Sequence, residues 1–189
     1  MQIMLRADTP TMTGPTWIAP TARVKEDLTF ELGNLHETGR ITVTGQPQGW
    51  VVKSVIYQGR DVANLPVSFE TSTDPRAIEI HVTSRVAYAT GRAIAPDKRT
   101  LTVLLLTADR NRWTTSSGLV AQAAVRPDGT FTVGPVVAGE YLILATTPQT
   151  FVEILRDPKT SLERVATSAV SIFLAENERQ ALTLYVNDK

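Results

Sequence analysis

Apolar and polar residues alternate along several short stretches of this chain. Ile41-Thr42-Val43-Thr44 is one, Ile78-Glu79-Ile80-His81-Val82 a second and Leu182-Thr183-Leu184-Tyr185-Val186 a third. A period of two sends successive side chains to opposite faces, so each stretch predicts a strand with one buried face. Gly and Pro punctuate the chain between them. Short strands separated by turns every ~8–12 residues predict a sandwich or barrel. Helical spacing is confined to residues 151–164, where Phe151, Ile154, Leu155 and Leu162 form a stripe that Pro158 interrupts. At most one short helix or turn is predicted there.

The pattern also repeats. Val24-Lys25-Glu26-Asp27-Leu28-Thr29-Phe30-Glu31-Leu32-Gly33-Asn34-Leu35 stands against Val125-Arg126-Pro127-Asp128-Gly129-Thr130-Phe131-Thr132-Val133-Gly134-Pro135-Val136 at a constant offset of 101. Val, Asp, Thr, Phe and Gly are identical in the two. The same offset pairs Leu5 with Leu106, Ala7 with Ala108 and Asp8 with Asp109. Beyond Gly39 and Gly139 the offset falls by one, setting Ile41-Thr42-Val43 against Tyr141-Leu142-Ile143. Residues 67–69 then resemble 170–173, and 78–82 resemble 182–186. Agreement in order along both halves predicts two tandem copies of one module, residues 1–84 and 85–189.

In the second copy, residues 86–94 read as an opening strand before the strand at 101–106. The counterpart in the first copy would precede residue 1. The first copy is therefore expected to be N-terminally incomplete and to lack its opening strand. That leaves a sheet edge for another segment or another chain to fill.

Composition narrows the function. The 189 residues carry 19 basic and 19 acidic side chains, a formal net charge of zero. This gives no electrostatic case for nucleic acid or an anionic membrane. No cysteine is present, which excludes disulfides, thiolate chemistry and Cys-based zinc sites. No apolar run approaches the ~20 residues of a membrane-spanning helix. The stretch Met1-Gln2-Ile3-Met4-Leu5-Arg6 does not read as a secretory signal.

The stretch Pro127-Asp128-Gly129-Thr130-Phe131-Thr132-Val133-Gly134-Pro135-Val136-Val137-Ala138-Gly139-Glu140-Tyr141-Leu142-Ile143-Leu144-Ala145 resembles the signature of carboxypeptidase regulatory-like domains. These are prealbumin- or transthyretin-like sandwiches, related to the B-type repeats of collagen adhesins. In the first copy, residues 45–55 followed by Gly59-Arg60-Asp61-Val62 are similar to a segment common in large bacterial envelope proteins. The resemblance implies an all-β chain of two tandem antiparallel, Ig-like or transthyretin-like sandwiches. It implies a non-catalytic spacer or docking module of a larger secreted or cell-envelope bacterial protein. Its partners would be other domains of that parent or an envelope protein.

The inventory of reactive side chains points the same way. His36 and His81 are the two histidines, one in a loop and one on the polar face of a strand. Neither belongs to a His-Glu-x-x-His or similar zinc pattern, and no Gly-x-Ser-x-Gly is present. Asp27, Asp61, Asp74, Asp97, Asp109, Asp128 and Asp157 are scattered singly, without calcium-loop spacing. Asp27 and Asp128 hold equivalent turn positions and are expected to cap backbone there. No catalytic, cofactor or metal residue is assigned. A Lys–Asn amide cross-link of the adhesin kind lacks a lysine in the opening strand, leaving only Lys53, Lys98 and Asn187 to consider.

Three tryptophans complete the reading. Trp50 begins a strand and is expected in the core. Trp17 and Trp113 lie in corresponding long loops and are the candidate ligand or partner contacts. On that basis the alternative function is a carbohydrate-binding accessory module using loop aromatics. A further expectation is self-association by strand addition at the open edge of the first copy.

Overall fold

The computed structural model describes residues 1–7, 21–32, 38–69, 78–96, 99–113 and 119–186. It divides into two units, Met1–Ser84 and Arg85–Lys189, each a pair of facing sheets.

In the first unit the strands are β1 (Gln2–Ala7), β2 (Thr21–Arg23), β3 (Thr38–Thr44), β4 (Val51–Tyr57), β5 (Arg60–Asp61), β6 (Val67–Ser68) and β7 (Ile78–Thr83). One sheet has the order β2-β1-β3-β6 and the other β5-β4-β7. Ile41 of β3, Val67 of β6, Val55 and Tyr57 of β4, and Phe69 form the core between them. The Tyr57 and Phe69 rings meet edge to face at 5.3 Å, an arrangement the ring quadrupoles favour. Trp50 is not a core residue. It sits on the turn before β4, its N–H donating to the Pro47 carbonyl, and its side chain is exposed.

The second unit contains β8 (Ala87–Ile94), β9 (Thr102–Thr107), a short 3-10 turn (Arg110–Arg112), β10 (Leu119–Ala124), β11 (Thr130–Val136), β12 (Gly139–Thr146), α1 (Pro148–Arg156), α2 (Pro158–Ala166), β13 (Val170–Leu174) and β14 (Arg179–Tyr185). Its sheets run β10-β9-β12-β13 and β11-β8-β14. The inner core joins Ala87 and Ala89 of β8, Val103 and Leu105 of β9, Phe131 and Val133 of β11, Tyr141 and Ile143 of β12, and Leu184 of β14.

The strand β9 is buried on both faces. Leu104 and Leu106 point away from the inner core and pack under Ile154 of α1 and Leu162, Val165 and Ala166 of α2. The region expected to hold one short helix thus holds two. Asp157 separates them: its N–H closes α1 on the Glu153 carbonyl, and its carboxylate accepts from Thr160 N–H at the start of α2. Pro158 opens a second helix here, because the first turn of a helix needs no amide from that position.

Strand by strand, β2-β1-β3-β6 corresponds to β10-β9-β12-β13. Between the third and fourth of these strands in chain order, the second unit inserts α1 and α2, and the first unit inserts β4 and β5. Among the described residues of the first unit, no strand corresponds to β8. The middle position that β8 holds in β11-β8-β14 is held by β4 in β5-β4-β7. In the second unit β14 pairs with β8 in parallel; in the first, β7 pairs with β4 antiparallel, Val55 opposite Ile80 and Tyr57 opposite Ile78.

Candidate interaction surfaces

Trp113 closes the 3-10 turn after β9. Its indole N–H donates to the Thr107 carbonyl at 2.9 Å, and its ring lies among Leu104, Leu106, Leu144 and Ile154. It is 4% exposed, with the Arg110 guanidinium over the ring at 5.2 Å. The helix pair has drawn this loop aromatic into the outer core, so it has no free face on which a sugar could stack. Trp17, the second candidate, lies outside the described residues.

The equivalent turns at Asp27 and Asp128 are the same device made twice. Asp27 Oδ1 accepts from Thr29 N–H at 3.0 Å and from its hydroxyl at 2.7 Å. Asp128 Oδ1 accepts from Thr130 N–H at 2.9 Å and from its hydroxyl at 2.7 Å. The backbone matches too: Lys25 N–H donates to Thr29 carbonyl and Arg126 N–H to Thr130 carbonyl, both at 2.8 Å. In each turn the threonine hydrogen bonds hold the carboxyl below the usual carboxylate range. These oxygens are committed to the turn. Asp61 likewise accepts from Val55 and Ala63 N–H.

His81 is exposed on β7, 3.5 Å from the Glu79 carboxylate. His36, Asp74, Asp97, Lys98 and Asn187 lie outside the described residues, and Lys53 is exposed on β4. Among the described residues, no three His, Asp or Glu side chains converge in a metal-binding group. Among the same residues, no helix is long and apolar enough to cross a membrane.

The surface the sequence reading passed over is the outer face and free side of the β11-β8-β14 sheet. Thr132, Thr90 and Ala181 form one row across it, and Thr130, Arg92 and Thr183 the next. The Arg179 guanidinium lies over the Tyr88 ring at 4.2 Å, a cation–π contact. Tyr185 stands 68% exposed at the other end of β14. The signal for this surface was the alternation at 182–186, which predicted a polar face on the strand but not that, among the described residues, its other long side would have no pairing strand.

No family model matches this chain, and no curated protein matches it. Among solved structures it is similar to the Bacillus anthracis TIE protein, at 10% identity and a TM-score of 0.30. The match covers 82% of this chain and 36% of that one, so this chain spans little more than a third of that protein's length. A likeness at that score carries no argument about function.

Proposed function

We propose that this chain is a non-catalytic spacer and docking module: two tandem transthyretin-like sandwiches from a larger secreted or cell-envelope protein. The observation that carries the reading is the duplicated turn. The same Asp–Thr hydrogen bonds recur at Asp27 and Asp128 within the same four-strand order. The resemblance of residues 127–145 to carboxypeptidase regulatory-like domains supports it. Serial repetition of a self-contained unit sets distance and presents surfaces, and a loop-anchored Trp113 removes support from the carbohydrate-binding alternative. The test is where the module lies and what it does. A tag on the parent protein reached by an impermeant label on intact cells, together with no turnover of a hydrolase substrate panel, supports the reading. A tag confined to the cytoplasm, or turnover abolished by a point substitution in the chain, overturns it.

A further inference from the structure

The second unit has four strands at sheet edges, and three of them are poor templates for a further strand. The pairing of β10 is interrupted between Leu119 and Ala121, and that of β11 between Val133 and Val136, around Pro135. Bulges and prolines of this kind twist an edge out of pairing geometry. β13 is short, at five residues. β14 differs from all three. Its seven residues run in unbroken register from Arg179 opposite Tyr88 to Tyr185 opposite Ile94, with no proline or lysine.

The direction of its backbone groups follows from two hydrogen bonds. Tyr88 N–H donates to the Glu178 carbonyl, and Val186 N–H donates to the Ile94 carbonyl. In a parallel ladder the groups of alternate residues face alternate sides. Gln180, Leu182 and Leu184 therefore serve β8. Arg179, Ala181, Thr183 and Tyr185 turn their N–H and C=O groups to the other side, where no described strand pairs with them.

We propose that β14 is a self-association edge, and that its occupant is β14 of a second copy of this chain, antiparallel about a two-fold axis through Leu182. This goes beyond the spacer reading and stands or falls apart from it. The register is what selects the second copy. With Leu182 opposite its own mate, Ala181 faces Thr183 and Arg179 faces Tyr185. All four are outward-turned residues, so all four fall in hydrogen-bonded pairs and none is left over. Three-stranded β11-β8-β14 becomes half of a continuous sheet.

The side chains agree with that register. The outer row pairs small Ala181 with Thr183. Tyr185 of the second copy falls opposite Arg179, giving the guanidinium an aromatic neighbour besides Tyr88. Arg179 is the one charged residue in β14. The antiparallel arrangement sets the two copies of it about 20 Å apart along the ladder, beyond a screening length, whereas an in-register parallel arrangement would set them side by side.

The full chain is tested by sedimentation across a dilution series and by cross-linking. The chain has no cysteine, so Leu182→Cys introduces one thiol on the proposed axis. There the non-hydrogen-bonded pair brings the two Cβ atoms to about 4.5–5.5 Å, close enough for a disulfide with slight adjustment. The expected result is reversible doubling of mass with concentration and rapid oxidation of Leu182→Cys to a covalent dimer. Phe173→Cys, on β13, should cross-link at least tenfold more slowly. Thr183→Pro removes an outward N–H and leaves the β8 ladder its donors, and Ala181→Lys places charge in the pairing row. Each should keep the far-ultraviolet spectrum of the parent and abolish doubling. A chain monomeric at every concentration, equal cross-linking of the two cysteine variants, or doubling that survives Ala181→Lys overturns the proposal.

Discussion

Leu28 and Gly129 hold the same position of the same turn, 101 residues apart, and both have left-handed backbone, with φ of 65° and 83°. Leu28 N–H donates to the Lys25 carbonyl at 3.1 Å, and Gly129 N–H to the Arg126 carbonyl at 2.9 Å. Glycine takes that conformation freely, whereas a leucine Cβ crowds its own carbonyl at a cost of about 1–2 kcal/mol. The leucine recovers little by burial, being 82% exposed. Leu28→Gly is therefore expected to stabilise the first unit by about 0.5–1 kcal/mol, after the greater freedom of glycine in the unfolded chain is counted. Gly129→Leu should destabilise the second unit by on the order of 1 kcal/mol. Denaturant midpoints of the two variants against the parent measure both.

The same turns make an acid-sensitive contribution of known sign. The carboxyls of Asp27 and Asp128 lie below 3.8, chiefly through the threonine side-chain bond and then the threonine backbone bond. A carboxyl depressed on folding stabilises above its unfolded value, and that stabilisation fades as pH falls below it toward the folded value. Stability should therefore drop on acidification through and below pH 3.8. Replacing Thr29 and Thr130 with Val should shrink the drop and raise both carboxyl midpoints, as followed by NMR titration of the aspartate side chains. Unchanged midpoints in the double variant would show that the threonines do not set them.

Much of this architecture could be read from residue order, and the failures have specific causes. Alternation at 78–82 and 182–186 marked β7 and β14, but a period of two carries no information on a strand's partner or direction. Parallel β8·β14 and antiparallel β4·β7 look alike in that pattern. The unbroken apolar run of Val103, Leu104, Leu105 and Leu106 held a stronger message than strand length. A strand apolar on both faces needs cover on both, and the outer cover is α1 and α2. Reading it so would have predicted both helices and, with them, the burial of Trp113. Pro158 has the look of a helix break, yet the preceding Asp157 gives it the capping context of a helix start.

Tyr141 supplies an alkaline counterpart. Its hydroxyl donates to the Val137 carbonyl at 2.7 Å, and burial pushes its ionisation up to about 12 from 10.0. An acid raised on folding keeps the folded state favoured below the unfolded value, and the contribution is lost as pH rises from there to the folded value. Between pH 10 and about 12 the second unit should therefore lose stability steeply. Tyr141→Phe should flatten that loss while costing about 1 kcal/mol at neutral pH from the missing hydrogen bond. Phenolate absorbance followed beside circular dichroism gives the check. In the parent, Tyr141 should ionise only as the fold is lost.

The pairing of β8 with β14 depends on Gly91. A Cβ built there would stand 1.8 Å from the Leu182 carbonyl oxygen and 2.9 Å from its carbon, with backbone φ at 148°. The obstacle is main chain in a regular ladder, so it cannot be relieved by rotating a side chain. Gly91→Ala must push β14 away from β8 around the Leu182–Arg92 ladder contact and loosen Leu182 and Leu184 from the inner core. The expected cost is about 3 kcal/mol or more, in the range reserved for backbone clash and core disruption. Gly139→Ala is the matched control: its nearest new contacts are with the Tyr141 ring, from 3.7 Å, which is ordinary van der Waals distance. That variant should lie within about 1 kcal/mol of the parent. Amide exchange sharpens the comparison. Gly91→Ala should expose the amides of Leu182 and Leu184 first, while those of β9 and β12 stay protected. Equal loss of protection across both sheets would mean that the β8·β14 pair is not the element Gly91 secures.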